Sequence, residues 1–282
     1  MSVRLRRAEA PSPITFGRSQ ARPVAPTVHV VGLSLLMLAP GLLVCGLIEW
    51  GSTESHDEAA LFASAGVVGS VGWAMRRFTW VGTDVHHVSV FSAVAWTWIA
   101  CSVGGALPYV LGDMFAWSRF DDAFFESASG FSCTGSTVLD DIEAHGRGVL
   151  MWRQLTQWYG GMGMVVLAVS VLPFLGVGGL QLMSAEAPGP NADRLVPRVS
   201  DTARRLWLLY FAVTVVVAAA LWAAPGMNLY DSVAHSLTTA ATGGFSPYNS
   251  SVGHFDSVVV EVIIVIGLIV CGMNFALHYR AA

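Results

Sequence analysis

Runs of apolar residues about as long as the roughly 20 that carry a helix across a bilayer recur along this chain, at 28–50, 59–74, 88–111, 149–175, 206–224 and 258–277. They leave few folds open, because in lipid every backbone N–H and C=O must find a partner within the protein. The expected class is therefore all-α: a polytopic membrane protein held in membrane lipid. The runs frame two polar interruptions. Glu126-Ser-Ala-Ser-Gly-Phe-Ser-Cys-Thr-Gly-Ser-Thr-Val138 is the first, and His235-Ser-Leu-Thr-Thr-Ala-Ala-Thr-Gly-Gly-Phe245 follows about 109 residues later. Irregular backbone at membrane depth is tolerated only where protein encloses it or a water-filled path runs beside it. A pair of such loops in a repeated apolar frame points to a pore.

Composition agrees and excludes other classes. The chain is 54% hydrophobic with a mean hydropathy of +0.58 and only 12% charged residues, where soluble domains carry about 25%. Its fifteen basic residues are all arginines scattered at segment ends, so no nucleic-acid partner is expected. Cys45, Cys101, Cys133 and Cys271 form no C-x-x-C pair, and neither a zinc site nor a disulfide framework is implied. No nucleophile elbow or H-E-x-x-H appears, so no catalytic residues are assigned and no enzyme is expected.

The frame divides the chain into an Arg- and Pro-rich disordered tail (1–27), an entry helical hairpin (28–77), a first pore repeat (78–175), a polar linker (176–205) and a second pore repeat (206–282). Each repeat reads as helix, short half-helix dipping inward (115–131 and 228–240), loop climbing out, and helix. Asp122 and Ser127 correspond to Asp231 and Ser236, and a one-residue slip then pairs Thr134-Gly135 with Thr242-Gly243. Arg76-Arg77 and the arginines of the tail and linker place those segments, His278 and Arg280 in the cytosol, and the acidic turn around Glu54 outside.

Selecting among bare cations calls for oxygen ligands, and backbone carbonyls supply them without formal charge. Ser132-Cys-Thr-Gly-Ser136 and Ala241-Thr-Gly-Gly-Phe245 combine small side chains with glycines that permit unusual dihedrals. The half-helix C-termini, negative ends of their dipoles, point toward the same depth, which favours a cation over an anion. Asp121, Asp122, Asp140, Asp141 and Glu143 read either as an outer acidic funnel or as a solvated face. Arg153, one turn inside its helix, reads as the partner of a carboxylate such as Glu126. The Gly160-Gly161-Met-Gly163 cluster reads as a site of close helix approach. His86, His87 and His235 read as packing or interface residues.

At these residues the chain resembles the Trk/Ktr/HKT superfamily of potassium-translocating proteins, nearest its bacterial TrkH branch. The resemblance lies in Asp122 to Val138, Trp152-Arg-Gln-Leu-Thr-Gln-Trp-Tyr-Gly-Gly-Met-Gly163, Leu175-Gly-Val-Gly-Gly179, Ala185-Glu-Ala-Pro-Gly-Pro190 and Thr239-Ala-Ala-Thr-Gly-Gly-Phe-Ser246. It implies potassium uptake across the bacterial inner membrane, with the N-terminus cytosolic, under a cytosolic nucleotide-binding regulatory subunit. Potassium is the transported ion and no cofactor is implied. By position, Cys133, Thr134, Ala241 and Thr242 would offer carbonyls to the ion, with Ser132, Gly135, Ser136, Gly243, Gly244 and Phe245 as filter backbone. Ser132 and Cys133 depart from the family's threonine-rich run, which removes a side-chain hydroxyl but leaves the carbonyl. The superfamily builds its filter from four repeats, so this chain is expected to supply half: a fragment, or a subunit completed by a C-terminal half, a homodimer partner or a companion chain. The alternative is a non-conducting assembly or regulatory subunit.

Overall fold

A computed structural model of the protein describes residues 25–52, 57–79, 87–171 and 195–273. Residues 1–24 of the expected disordered tail, the acidic turn around Glu54, His86, most of the linker, His278, Arg280 and the motifs at 175–179 and 185–190 lie outside these residues, while the last three residues assigned to the tail, 25–27, are helical. Regular structure among the described residues is helical: α1 (Ala25–Trp50), α2 (Glu58–Arg77), α3 (His87–Leu111), α4 (Phe120–Phe131), α5 (Arg147–Val171), α6 (Leu195–Trp222), α7 (Leu229–Ala241) and α8 (Val258–Gly272), with short 3-10 turns at Trp117–Arg119 and Ser251–Phe255.

Among the described residues, four helical stretches are long and apolar enough to cross a membrane: Thr27–Trp50, Glu58–Arg77, Phe91–Leu111 and Arg204–Trp222. Large apolar side chains such as Trp50, Trp73, Trp96 and Val216 stay exposed on these helices, as does Ile269 on the shorter α8. Such a surface is costly in water and satisfied by lipid. The short helices α4 and α7 start differently. Asp121 and Asp122 stand in the first turn of α4, against the positive end of its dipole, whereas Asn228 caps α7 by accepting the Asp231 N–H at 2.9 Å.

The helix α6 begins at Leu195, inside the stretch 176–205 that the sequence reads as polar loop. Pro197, one of the prolines of that stretch, falls in the first turn, where its missing N–H costs no helical hydrogen bond.

Helix α1 pairs along α2 and packs on α3 and α5; α4 lies between α3 and α5, and α7 between α5, α6 and α8. One core, including Leu42, Leu61, Tyr109, Phe131 and Trp152, joins the hairpin to the first repeat. A second, including Val217, Leu221, Val260 and Ile264, holds α6 to α8. The hairpin also grips α5 by a polar contact: buried Glu49, at the end of α1, accepts the Gly148 N–H with its carboxylate. An acceptor at the first turn of α5 takes up one of the N–H groups that a helix start leaves without an internal partner. Helix α5 is thereby fixed beneath both short helices.

Candidate ion-filter site

Both half-helices stop in the same way. In α4 the Cys133 N–H donates to the Gly130 carbonyl at 2.9 Å and the Thr134 N–H to that of Ser129 at 3.0 Å. In α7 the Thr242 N–H donates to Thr239 at 3.0 Å and the Gly243 N–H to Thr238 at 2.9 Å. These are Schellman endings, which need a left-handed residue after the last turn. Here that residue is not glycine but Cys133 (φ 55°) and Thr242 (φ 52°), with glycines Gly135 (φ 74°) and Gly244 (φ 86°) in the left-handed region two positions on. A β-branched residue at positive φ is an outlier, and such strain gathers at functional sites.

The repeat therefore keeps an offset of 109 residues, as between Asp122 and Asp231, straight through the loops. The expected one-residue slip is overturned: Cys133 matches Thr242, Thr134 matches Gly243 and Gly135 matches Gly244. Identity of letters favoured pairing the two Thr-Gly dipeptides, whereas backbone handedness pairs the residues one step apart.

Further bonds obey the same offset. Arg119 Nε holds Asp122 at 2.6 Å where Asn228 Nδ2 holds Asp231 at 2.8 Å. Glu126 accepts the Thr137 hydroxyl at 3.0 Å where His235 Nε2 meets the Ser246 hydroxyl at 3.2 Å. The Leu139 N–H donates to Thr137 at 3.2 Å and the Tyr248 N–H to Ser246 at 3.1 Å. Each half-helix is thus tied back to its own ascending loop by one buried polar side chain, Glu126 in the first unit and His235 in the second.

Arg153 of α5 joins the two units. Its guanidinium holds Glu126 Oε1 at 2.6 Å through Nη2 and 2.8 Å through Nε, donates to the Ser246 carbonyl at 3.2 Å, and lies 4.2 Å from the centroid of the Phe245 ring. Both ionic side chains are fully buried, so the expected ion pair is present and its remaining polar atoms are occupied, as a buried pair requires. One turn on, Gln157 Oε1 accepts the Phe245 N–H at 3.0 Å, and its carbonyl accepts Cys133 Sγ at 3.3 Å. The next turn carries the adjacent glycines: a β-carbon on Gly160 would collide with the Phe131 carbonyl, and one on Gly161 would press on Ala241. Neighbouring residues of α5 thus each admit the end of one half-helix. Gly163 has no such neighbour among the described residues.

The loops touch where glycine is required. A β-carbon on Gly135 would fall on the Gly243 carbonyl oxygen. Among the described residues, no hydrogen bond takes the carbonyls of Cys133, Thr134, Gly135, Thr242, Gly243 or Gly244. The Ala241 carbonyl accepts the Thr242 hydroxyl at 2.7 Å, and that of Ser136 accepts the Ser129 hydroxyl at 2.6 Å. Ser132, Thr134, Ser136, Thr242 and Gly244 are exposed, Cys133 and Gly135 half-buried, and Ala241, Gly243 and Phe245 buried.

Above the loops, the acidic residues have particular partners. Asn249 donates from Nδ2 to Asp141 at 2.8 Å and from its N–H to Glu143 at 2.9 Å, and accepts the Ile142 N–H at 2.8 Å. Asp141 and Glu143, both exposed, therefore latch the second unit to the first from the solvated surface. Asp122 pairs with Arg119, while Asp121 and Asp140 are exposed. A cavity of about 190 Å³ beside the latch is lined by Glu143, His145, Arg147, Asn228, Tyr230 and Tyr248 among others. Burial first, and Arg153 second, hold the His145 imidazole below its ordinary range, so at neutral pH it adds no positive charge to this mouth. No group of three or more His, Cys, Asp or Glu suited to a metal occurs among the described residues.

Gln157, Ser129, Thr137 and Asn249 received no role from the sequence. Gln157 carried a legible signal: it follows Arg153 by one helical turn, on the same face. The side chain of His87 lies outside the described ones. His235 is a buried packing histidine, as expected, with Asp231 and Ser246 as its polar partners.

The family model described as "TrkH: Cation transport protein" matches residues 61–282. Over 255 residues the chain is 45% identical to the Trk system potassium uptake protein TrkH of Halomonas elongata, covering 90% of this chain and 52% of that protein. It is 39% identical over 254 residues to the TrkH of Escherichia coli K12, covering 89% and 52%. The crystal structure of the potassium transporter TrkH from Vibrio parahaemolyticus superposes with a TM-score of 0.79 at 31% identity, over 91% of this chain and 51% of that one. The chain thus spans about half the length of the curated relatives it matches.

Proposed function

Since the chain belongs to the TrkH family of cation transport proteins, we propose that it takes part in potassium uptake, its two loops supplying half of a carbonyl-lined selectivity filter. One observation carries this reading: two half-helix endings of the same geometry, 109 residues apart, lead into loops that meet at Gly135 and Gly243, and among the described residues six carbonyls of these loops accept no hydrogen bond. Carbonyls that no protein donor occupies are available to an ion, and a dehydrated cation is the partner that a cluster of them suits. The negative ends of both half-helix dipoles favour the same charge. Cys133, Thr134 and Thr242 are ligands as assigned by family position. The repeat register adds Gly243 as the counterpart of Thr134, while Ala241 shares its carbonyl with a hydroxyl.

The relatives bear the name of the Trk potassium uptake system. In this reading the protein sits in the bacterial inner membrane with its N-terminus and linker in the cytosol, where a nucleotide-binding regulatory subunit engages it. The unit 28–77 is an entry hairpin, 78–175 and 206–282 are pore repeats, and further repeats close the ring. In the natural polypeptide that carries this sequence, Gly135→Asp and Gly243→Asp are expected to abolish growth of an uptake-deficient bacterial host on limiting potassium while the protein still reaches the membrane. Normal growth of both variants would remove the filter assignment. Wild-type protein that inserts but carries no rubidium would favour a non-conducting assembly subunit instead.

A further inference from the structure

Gln157 is the residue on which both loops converge, and half of its amide is idle. Its side chain is fully buried, Oε1 is taken by the Phe245 N–H, and Nε2 has no hydrogen-bond partner. Buried amide nitrogens nearly always have partners, and the exceptions call for an explanation. The surroundings of Nε2 offer one. The vacant β-position of Gly135 has the Gly243 carbonyl oxygen as its nearest neighbour and Gln157 Nε2 at 3.7 Å, and a β-carbon on Gly243 would itself strike the Gln157 amide. The idle donor therefore stands beside the carbonyl where the two loops touch.

We propose that Gln157 is a specificity-determining positioning residue, whose Nε2 acts as a reserve donor to the Gly243 carbonyl. This rests on the filter reading above. When an ion occupies the loops the carbonyl turns to it; when the ion leaves, or is too small to reach, the amide takes the carbonyl back. Competition from this donor keeps the ring from collapsing onto a smaller cation, so Gln157 favours potassium-sized ions over sodium without touching them. A merely structural role, holding Phe245 through Oε1, would affect the amount of folded protein and not the choice of ion.

The two roles separate in Gln157→Glu, which keeps the acceptor for Phe245 and loses the donor, and Gln157→Leu, which loses both. The readout is the ratio of rubidium to sodium uptake by vesicles containing the natural polypeptide, normalised to inserted protein. Both variants are expected to lower the ratio by about threefold or more, the size of effect of one hydrogen bond. A wild-type ratio in Gln157→Glu would overturn the proposal, even if Gln157→Leu fails to fold. Absence of rubidium uptake by the wild type would instead sink the filter reading and this inference with it.

Discussion

Thr242 concentrates the tension of the site in one residue. A threonine at φ 52° and ψ 33° holds its β-branch in the left-handed region, at a cost of about 1–2 kcal/mol. The Schellman bonds and the contacts of the loop outweigh that cost, and in return the Thr242 and Gly243 carbonyls are left without hydrogen-bond partners. Thr242→Gly is expected to leave the thermal unfolding midpoint in detergent nearly unchanged, the strain relieved being offset by the roughly 0.5–1 kcal/mol of glycine's backbone entropy and by the lost hydroxyl bond to Ala241. Thr242→Val retains the strain, loses the hydroxyl that donates to Ala241, and is expected to lower the midpoint. Arg153 is the second such residue. Arg153→Leu leaves Glu126 buried and unpaired, a loss of about 3–5 kcal/mol, measurable by denaturant or thermal unfolding. Arg153→Leu combined with Glu126→Leu is expected to recover part of it, because no uncompensated charge is then buried.

Helix α5 is the element that turns these residues into one site. Trp152 to Gly161 places, on successive turns, the Trp152 indole on the Gly105 carbonyl at 3.0 Å, Arg153 on both loops, Gln157 at their contact, and one glycine under each half-helix end. Gly160→Leu is expected to cost roughly 1–3 kcal/mol by overpacking and to lower rubidium uptake, while Gly163→Ala, with no described neighbour in its way, is expected to leave uptake unchanged and to stabilise the helix by about 0.5–1 kcal/mol. Much of this element was legible. The apolar period, the arginine inside it and the paired glycines foretold a helix, an ion pair with Glu126 and close packing. What stayed hidden depends on handedness and on long-range partners. The register of the loops is set by which residue enters the left-handed region, and Cys133 and Thr242 are not residues whose letters announce it. Asn249 reaches a loop more than a hundred residues earlier, a pairing that no local pattern contains. The start of α6 at Leu195, inside the expected linker, was hidden as well, since a proline such as Pro197 both ends helices and opens them.

At the scale of the whole molecule, an entry hairpin and two copies of one helix–half-helix–helix unit surround α5, and the copies differ where the units must join. Glu126 in the first is answered by His235 in the second, and Arg153 serves both because the matching position, Val262, is an exposed apolar residue. The two units are therefore not interchangeable: one supplies the charge pair, and the other leans on it. The outer latch at Asn249 completes the join, so Asn249→Ala is expected to increase amide hydrogen exchange in 139–146 and 247–250 together, while leaving α1 and α2 unchanged.

The central claim is that two loop endings of one sequence hold a potassium-sized ion by their carbonyls, and direct location of that ion tests it most squarely. In crystals of the natural polypeptide grown with rubidium in place of potassium, anomalous scattering is expected to place a peak against the carbonyls of Cys133, Thr134, Thr242 and Gly243. A well-ordered filter with rubidium bound elsewhere, or with those four carbonyls turned away from it, would contradict the account.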